Sequence, residues 1–293
     1  MKLHILLLAA LVVEVMALQW ENTGDMPGFQ YIQDLTLGPG NRLYCAVNSS
    51  ESGWVYVSDD YFNWHVTGAM PGNVKYVYSL IAGRGDTLLA GTRAVFNGGD
   101  SGQLYVSPDS AATWLHRSTF DPPACGLALT ALLEDESGYI YGGHDYFDGT
   151  FAFPPGRSTD RGLTWQQAGP ITPYCAYQYV IRQTSNGNIY CATWGYRGLV
   201  MRSTNHGASW TACGELFDAG DTPCIVERSD GMLYACTYPK IMPQQPYGRV
   251  FRSSNQGTTW TEIGSGYFNN TDGIRSLCWA SDGRLFAGTS PSG

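Results

Sequence analysis

The sequence carries little charge, and its balance is acidic. Only 14% of its 293 residues are charged, with 17 Lys and Arg against 25 Asp and Glu, and the formal net charge is -8 at pH 7. Proteins that bind nucleic acids neutralise phosphate groups with clustered Lys and Arg side chains. Because the basic residues here are few and scattered, we expect no nucleic-acid partner.

Apolar runs long enough to cross a bilayer are missing too. Residues 1–17 read MKLHILLLAALVVEVMA: one lysine, an apolar run interrupted by Glu14, and a small residue, Ala17, at which a signal peptidase can cut. A spanning helix needs about 20 apolar residues, so an uncleaved anchor is the weaker alternative. We therefore expect a signal peptide over residues 1–17, a mature chain without a membrane span, and a secreted location, extracellular or periplasmic.

The spacings typical of metal and redox sites are absent. No two of the eight cysteines are spaced as C-x-x-C, and the five histidines do not cluster. Asp145 and Asp148 in HDYFDGT could hold Ca²⁺, but acidic loops of this kind are more often simply solvated. We expect no metal ion and no cofactor.

Eight cysteines in an exported chain permit disulfides, and sequence alone leaves their connectivity open. The first choice of bridge is Cys213 with Cys224, which bracket one loop. The second is Cys125 with Cys175, which lie at similar points of neighbouring repeats. The cysteines inside strand-like runs are predicted to be small buried residues: Cys45, Cys191 and Cys236.

The chain is instead rich in glycine, proline and aromatic residues, and it contains a repeat. An eight-residue segment reads STDRGLTW at 158–165, STNHGASW at 203–210 and SSNQGTTW at 253–260. Weaker copies are SPDSAATW at 107–114 and VSDDYFNW at 57–64. A unit that recurs at this spacing is within the range of β-propeller blades.

The segments between these copies have the alternation of strands. Runs such as GQLYVS and GRVFRS place apolar residues at period two, and Gly and Pro are too frequent for long helices. We predict an all-β protein, a propeller of four-stranded antiparallel blades over residues 18–293. Because WENTGDMPG from Trp20 repeats WHVTGAMPG from Trp64, we predict six blades with the closing blade split between the termini, or seven if the chain is truncated.

The pattern Ser/Thr-x-Asp-x-Gly-x-Thr-Trp in these copies resembles the Asp-box, or BNR repeat. This repeat is found in sialidases, in sortilin-type receptors, in some xyloglucan hydrolases and in many non-enzymatic propellers. The copy at 158–165 matches fully, those at 203–210 and 253–260 carry Asn for Asp, and 107–114 lacks the Gly. The copy at 57–64 is degenerate, and the resemblance covers nearly the whole mature chain.

The resemblance implies that the box lies away from the ligand site and is structural. In such a turn an Asp or Asn accepts backbone N–H groups, Gly supplies a positive φ, and Trp packs between neighbouring blades. The residues predicted to have this role are Asp109, Trp114, Asp160, Gly162, Trp165, Asn205, Gly207, Trp210, Asn255, Gly257 and Trp260.

The opposite loops hold the aromatic residues, including Tyr76 and Tyr177, and are the predicted ligand face. Rigid rings with a few polar groups suit a glycan or a protein partner, although such rings also pack long loops. Aligned first strands place Gln33, Asp34, Tyr78, Ser79, Tyr179 and Arg275 at their entries. The residues predicted to face a ligand are Tyr78, His144, Asp145, Trp194, Tyr196 and Tyr238.

A sialidase-like glycoside hydrolase is the alternative. The resemblance would then require three arginines on a carboxylate, a Tyr nucleophile with a Glu partner, and an acidic Asp. The available residues are Arg93, Arg182, Arg275, Glu227, Tyr179 and Asp34, with Arg197 as a further loop arginine. The family's Phe/Tyr-Arg-Ile-Pro motif is absent. We therefore expect a secreted binding module without catalytic residues, either alone or as one module of a larger surface protein.

Overall fold

The protein is described in a computed structural model that defines eleven stretches of the chain: 31–49, 52–96, 99–120, 128–145, 154–167, 175–195, 198–216, 221–238, 248–264, 272–280 and 283–291. The expected signal peptide, residues 1–17, lies outside them. The chain divides into two compact units, Met1–Thr119 and Phe120–Gly293. Within the described stretches, no helix has the length and apolar character to cross a membrane.

The first unit contains two antiparallel sheets. The first sheet has the order β1-β2-β3-β4, and a short 3-10 turn, Pro39–Asn41, connects its first two strands. The second has the order β5-β6-β7-β8, and β8 ends one residue beyond the unit. The strands are β1 (Tyr31–Gly38), β2 (Arg42–Asn48), β3 (Gly53–Ser58), β4 (His65–Val66), β5 (Asn73–Ala82), β6 (Leu88–Phe96), β7 (Gly99–Ser107) and β8 (Leu115–Phe120).

The second unit contains four antiparallel sheets in chain order. The third and sixth sheets have three and two strands, and the fourth and fifth have four each. The strands are β9 (Leu129–Glu134), β10 (Ile140–His144) and β11 (Gly156–Ser158); β12 (Cys175–Gln183), β13 (Ile189–Gly195), β14 (Gly198–Ser203) and β15 (Thr211–Leu216); β16 (Asp221–Glu227), β17 (Leu233–Tyr238), β18 (Val250–Ser253) and β19 (Thr261–Ile263); β20 (Asp272–Trp279) and β21 (Leu285–Pro291).

This succession of six short antiparallel sheets confirms the predicted all-β class. Each sheet pairs strands that follow one another in the chain, as the blades of a propeller do. The split closing blade stays a prediction, because residues 18–30 lie outside the described stretches.

The box at 158–165 is a turn built around the carboxylate of Asp160. Its Oδ1 accepts hydrogen bonds from the backbone N–H of Leu163 at 3.0 Å and of Thr164 at 2.9 Å. The Thr164 hydroxyl donates to Oδ2 at 2.6 Å, and the Ser158 hydroxyl donates to Oδ1 at 2.7 Å. The hydrogen bonds from Thr164 head the causes that lower the pKa of Asp160 to about 2. Ser158 Oγ in turn accepts the N–H of Gly162 at 2.7 Å.

The boxes with asparagine make the same turn, but the hydrogen bond between the side chain and the Ser or Thr hydroxyl runs in the opposite direction. Asn205 Oδ1 accepts the N–H of Ser209 at 2.9 Å, and its Nδ2 donates to the Ser209 hydroxyl at 2.8 Å. Asn255 repeats both bonds with Thr259, each at 2.9 Å. The hydroxyl accepts here, whereas it donates to an aspartate, because a hydroxyl can do either. Asp109 makes the aspartate form of the turn with Thr113.

This reversal predicts how Asp160 tolerates substitution. Asp160→Ala removes the acceptors for two backbone N–H groups and should cost about 1 kcal/mol, as loss of a helix N-cap does. Asp160→Asn should cost less than about 0.5 kcal/mol, because Thr164 can rotate its hydroxyl to accept. Urea unfolding of the three proteins gives both values. If the asparagine variant lost as much stability as the alanine variant, the stabilisation by Asp160 would come from its charge and not from the geometry of the turn.

The box predicted at 57–64 is one residue shorter than the others. The Ser58 hydroxyl donates to Asp60 Oδ1, and Asp60 accepts the N–H groups of Phe62 and Asn63 at 2.9 and 2.7 Å. The other boxes hold two consecutive residues with positive φ, whereas this turn has Tyr61 alone. The turn therefore begins at Ser58, and the missing residue explains why its sequence matches the pattern poorly.

Tyrosines in the second strands connect one sheet to the box of the next. In the first unit, the Tyr44 hydroxyl lies 3.4 Å from the carbonyl oxygen of Ser110. In the second unit, the Tyr190 hydroxyl lies 3.3 Å from the carbonyl oxygen of Gln256. Both carbonyls belong to box residues with positive φ. The box therefore gives the preceding sheet a backbone acceptor as well as closing its own turn.

The third and fourth sheets are connected in the same region through a buried carboxylate. Asp135 Oδ2 accepts the Tyr141 hydroxyl at 2.8 Å and lies 3.1 Å from Nδ1 of His206 in the box. Its Oδ1 accepts the backbone N–H of Tyr139 at 3.0 Å. Although burial opposes ionisation of Asp135, these hydrogen bonds lower its pKa overall. Arg157 Nη1 adds a hydrogen bond to the His206 carbonyl oxygen at 3.0 Å.

The box tryptophans lie in or against the apolar cores. Trp114 is buried between the first and second sheets, and Trp210 between the third and fourth. Trp260 packs against the core of the fourth and fifth sheets. The Trp165 ring meets Phe120 edge-on with centroids 4.7 Å apart. These rings bury apolar area and give neighbouring sheets matched surfaces.

Candidate functional site

In the second unit, the first strand of each sheet carries a β-bulge near its entry. The pairing of β12 with β13 skips Tyr179, and that of β20 with β21 skips Arg275. The pairing of β9 with β10 skips Thr130, and on β16 residues 222 and 223 stand against one partner. A bulge bends the strand and redirects a side chain. Tyr179 and Arg275, aligned from the sequence at strand entries, both occupy bulges.

The first unit has the same irregularity in both of its first strands. The pairing of β1 skips Gln33, and that of β5 skips Tyr78. The residues that follow, Asp34 and Ser79, return to the regular pairing with β2 and β6. The aligned positions Gln33 and Tyr78 are thus bulge residues as well.

Tyrosines next to these bulges come in pairs. In the second unit, the rings of Tyr177 and Tyr179 have centroids 6.2 Å apart and planes at 35°, and Tyr177 is 37% exposed. In the first unit, the rings of Tyr76 and Tyr78 are 5.8 Å apart at 45°. Each pair presents two neighbouring π-faces at a strand entry, an arrangement that can stack on a planar or sugar surface.

Arg275 and Tyr238, which the sequence assigned to different roles, lie together. The Arg275 guanidinium carbon stands 4.0 Å from the centroid of the Tyr238 ring, which is a cation–π distance. Gly273 permits this approach, because a Cβ placed there would lie 2.1 Å from Cδ2 of Tyr238. Arg275 is exposed, so this pair adds a charged platform to the second unit.

Arg93 is engaged by a neighbouring carboxylate. Its Nε and Nη2 donate to Asp100 Oδ2 at 2.9 and 2.5 Å. Lys75 donates to Oδ1 of the same aspartate at 2.8 Å, and Tyr78 hydrogen-bonds to Arg93. The hydrogen bond from Lys75, followed by that from Arg93, lowers the pKa of Asp100. The guanidinium therefore already has the carboxylate that a sialidase clamp would need to find in its substrate.

The candidate carboxylates bind backbone N–H groups of neighbouring sheets. Glu227 accepts the Ser185 N–H at 2.7 Å and the Ser185 hydroxyl at 2.8 Å. In the first unit, Asp34 Oδ2 accepts the N–H of Leu80 at 2.7 Å. Arg182 is exposed on β12. The described contacts thus give Glu227 and Asp34 roles in joining sheets.

His144 is buried, and the partly buried Asp145 binds a backbone N–H group. His144 is 1% exposed, stacks on Phe120 with ring centroids 6.4 Å apart, and has Nε2 3.2 Å from Nε2 of Gln167. Burial lowers the pKa of His144 to about 4. Asp145 Oδ1 accepts the N–H of Ala128 at 3.0 Å. Burial thus corrects the prediction that His144 faces a ligand.

Several predicted positions lie beyond what the structure describes. Tyr196, Arg197 and Asp148 are outside the described residues, and of Trp194 only the backbone, in β13, is defined. Among the described residues, no group of three His, Cys, Asp or Glu is arranged to hold a metal ion.

The predicted bridge between Cys213 and Cys224 is not formed, and both residues are free thiols. Cys213 on β15 is buried in the core of the fourth and fifth sheets. Cys224 on β16 stands directly opposite Cys236 on β17. Strand pairing, and not the loop between the two cysteines, decides which thiols meet. Cys125 and the Cys175 side chain of the second-choice bridge lie outside the described residues.

Solved structures that resemble this chain share its architecture at low identity. The GH74 xyloglucanase from Xanthomonas campestris superposes with a TM-score of 0.61 at 17% identity, over 80% of this chain and 38% of that one. The Trypanosoma rangeli sialidase in complex with the inhibitor DANA gives 0.52 at 13% identity, over 87% and 52%. YCF48 bound to the D1 peptide gives 0.56 at 13%, over 88% and 74%.

These similarities define the class of fold: a multi-blade, sialidase-like β-propeller. The chain spans well under two thirds of the xyloglucanase and the sialidase, so the likeness extends to the propeller fold and not to their activities. No protein-family model matches the sequence. No characterised protein matches it in sequence either.

Proposed function

We propose that the protein is a non-catalytic binding module that holds a glycan on the aromatic face of its propeller. The observation that carries this proposal is the pair of tyrosines, Tyr177 and Tyr179, beside the bulge of β12. Sugars bind to aromatic faces through their apolar C–H surfaces, with a few polar groups to fix orientation. The exposed guanidinium of Arg275 can supply such a polar group, and would favour an acidic sugar.

The engaged state of the candidate catalytic groups supports binding over hydrolysis. Arg93 is held by Asp100, and Glu227 and Asp34 accept backbone N–H groups. Retaining hydrolysis needs a carboxylic acid that can give and take a proton near the scissile bond. Groups fixed in hydrogen bonds between sheets are poorly suited to that role. The hydrolase remains the alternative because a sialidase and a xyloglucanase share the fold.

A protein partner is the second candidate. The structure of YCF48, which aligns over 88% of this chain and 74% of its own, was solved with the D1 peptide bound. The same tyrosine pairs could pack on apolar peptide side chains.

We also propose that the chain is exported, because residues 1–17 have the form of a signal peptide. Amino-terminal sequencing of the secreted protein should begin at residue 18.

The test of the binding proposal is a glycan array probed with the mature protein and with three variants. Tyr177→Ala should lower the affinity for the glycan that binds best about tenfold. Arg275→Ala should lower the affinity for acidic glycans more than that for neutral ones. Phe62→Ala is the control, because Phe62 is 50% exposed but lies on a box turn.

The array, together with an assay on a fluorogenic sialoside, distinguishes the candidate functions. Loss of binding in Phe62→Ala equal to that in Tyr177→Ala would contradict the proposed face. If the mature protein bound no glycan on the array but bound a defined protein, the protein partner would be favoured. Release of fluorophore from a fluorogenic sialoside by the wild type, and not by Arg275→Ala, would replace binding by hydrolysis.

A further inference from the structure

We propose that Cys224 and Cys236 form a reversible disulfide site inside the fifth sheet. The two residues are direct partners in the antiparallel pairing of β16 with β17. Directly opposed residues point to the same face of a sheet, so their sulfur atoms are neighbours. Among the described residues, these are the two cysteines that strand pairing places opposite each other.

The Cα spacing of this pair lies in the range found for disulfides, and closing the bond requires the two Cβ atoms to approach each other. Arg228 N–H donates to the carbonyl oxygen of Met232 at 2.8 Å and closes the hairpin of β16 and β17. Because hydrogen-bonded and non-hydrogen-bonded pairs alternate along an antiparallel ladder, Cys224 and Cys236 fall on a hydrogen-bonded pair. The Cα atoms of such a pair are about 5.5 Å apart, inside the range of about 4.4–6.8 Å found for disulfides.

The surroundings make Cys224 the reactive thiol and Cys236 the resolving one. The Leu277 N–H donates to the Cys224 sulfur at 3.3 Å, and the Cys236 thiol lies within hydrogen-bonding reach of both that sulfur and the Ile274 carbonyl oxygen, the latter at 3.5 Å. The exposed guanidinium of Arg182 adds a positive charge nearby. The interaction with the Cys236 thiol is the largest of these effects, which together lower the pKa of Cys224 below its ordinary value. Burial raises the pKa of Cys236 well above its ordinary value.

The oxidation uses a small disulfide such as glutathione disulfide as the electron acceptor. The Cys224 thiolate attacks one glutathione sulfur, forms a mixed disulfide and releases one glutathione thiolate. Cys236 then loses its proton and attacks the Cys224 sulfur, which releases the second glutathione. The two cysteines give up two electrons and two protons, and one glutathione disulfide becomes two molecules of glutathione. Excess reduced glutathione reverses both steps.

Trypsin separates this bridge cleanly from the one suggested by sequence. Cleavage after Arg202, Arg228 and Lys240 gives peptide 203–228 with Cys213 and Cys224, and peptide 229–240 with Cys236. A bridge between Cys224 and Cys236 appears as two linked peptides, whereas one between Cys213 and Cys224 stays inside a single peptide. The full mature chain is equilibrated in reduced or oxidised glutathione, alkylated in denaturant, digested and analysed by mass spectrometry.

We expect the linked pair of peptides to be the major form in oxidised glutathione and to vanish in reduced glutathione. Cys224→Ser should abolish the link and leave Cys236 alkylated, and the control Cys213→Ser should leave the link unchanged. If the buried Cys236→Ser variant fails to fold, the wild type and Cys224→Ser still decide the question. Separate, fully alkylated peptides in oxidised glutathione, or a bridge within peptide 203–228, would overturn the proposal.

Discussion

Acidification from pH 6.5 to pH 4 is expected to remove about 3 kcal/mol of folding free energy through His144. Burial lowers the pKa of this histidine from 6.5 to about 4, so the folded protein binds its proton less readily than the unfolded chain does. The stability it contributes is therefore present above pH 6.5 and is lost as the pH falls toward 4. Each tenfold difference in proton affinity corresponds to about 1.4 kcal/mol.

Burial keeps the ring neutral, although a hydrogen bond with the Pro154 carbonyl oxygen acts in the opposite direction and raises the pKa of His144. Gln167 Nε2 can only donate, so the His144 nitrogen 3.2 Å away must accept and carry no proton. The same amide also donates to the carbonyl oxygen of Pro154 at 3.1 Å, which fixes its orientation. Protonating His144 at Nε2 would set two donors against each other in a buried site.

Urea unfolding at pH 7, 6, 5 and 4 measures this loss. His144→Gln should remove most of the pH dependence in this window, whereas the control His65→Gln, on the exposed strand β4, should retain it. Asp135 and Asp160 affect stability at lower pH than His144 does. Because their pKa values are lowered, their contribution to folding free energy is present above about pH 4 and is lost only as the pH falls further. A His144→Gln variant with the full wild-type dependence above pH 4 would disprove the assignment.

Local sequence predicts the turns of this protein well because turn chemistry is local. The Ser, the Asp or Asn, and the residues of positive φ that build each box lie within eight positions, as Asp160 and Asn205 illustrate. The box at 57–64 matches the pattern less well, since a one-residue deletion at Tyr61 shifts its sequence while Asp60 still accepts two backbone N–H groups.

The partners of polar side chains are harder to predict because they come from distant segments. Glu227 binds Ser185 and Asp34 binds the N–H of Leu80, and each pair joins two sheets. Tyr78, Tyr179 and Arg275, which the sequence places at strand entries, occupy bulges that the sequence did not predict.

The pairing of Cys224 with Cys236 could have been found from the sequence. The turn RSDGM at 228–232 closes a hairpin, and both cysteines lie four residues outside it. Counting outward from that turn brings the two thiols opposite each other. Loop length suggested Cys213 instead, because it ignores the register that a hairpin turn fixes.

Gly207→Ala is expected to cost about 3 kcal/mol, which is a large part of the stability of a typical domain. Gly207 is the glycine of the box at 203–210 and has φ of 71°, a conformation that strains other residues by about 1 kcal/mol. A Cβ at this position would also lie 2.5 Å from Cε1 of Tyr141. Tyr141 cannot retreat, because its ring is fully buried and its hydroxyl donates to Asp135 at 2.8 Å.

Gly257→Ala provides the matched control for this clash. Gly257 occupies the same box position with φ of 79°, but a Cβ there would approach its nearest neighbour, Cβ of Cys213, at 3.4 Å, an ordinary contact. The backbone strain alone should then cost about 1 kcal/mol. The box at 107–114 already has alanine at this position, since Ala111 is buried with φ of 68°. Urea unfolding of both variants should therefore show Gly207→Ala to be the more damaging by about 2 kcal/mol. Equal losses would mean that the left-handed backbone, and not the fixed Tyr141 ring, makes glycine necessary in the box.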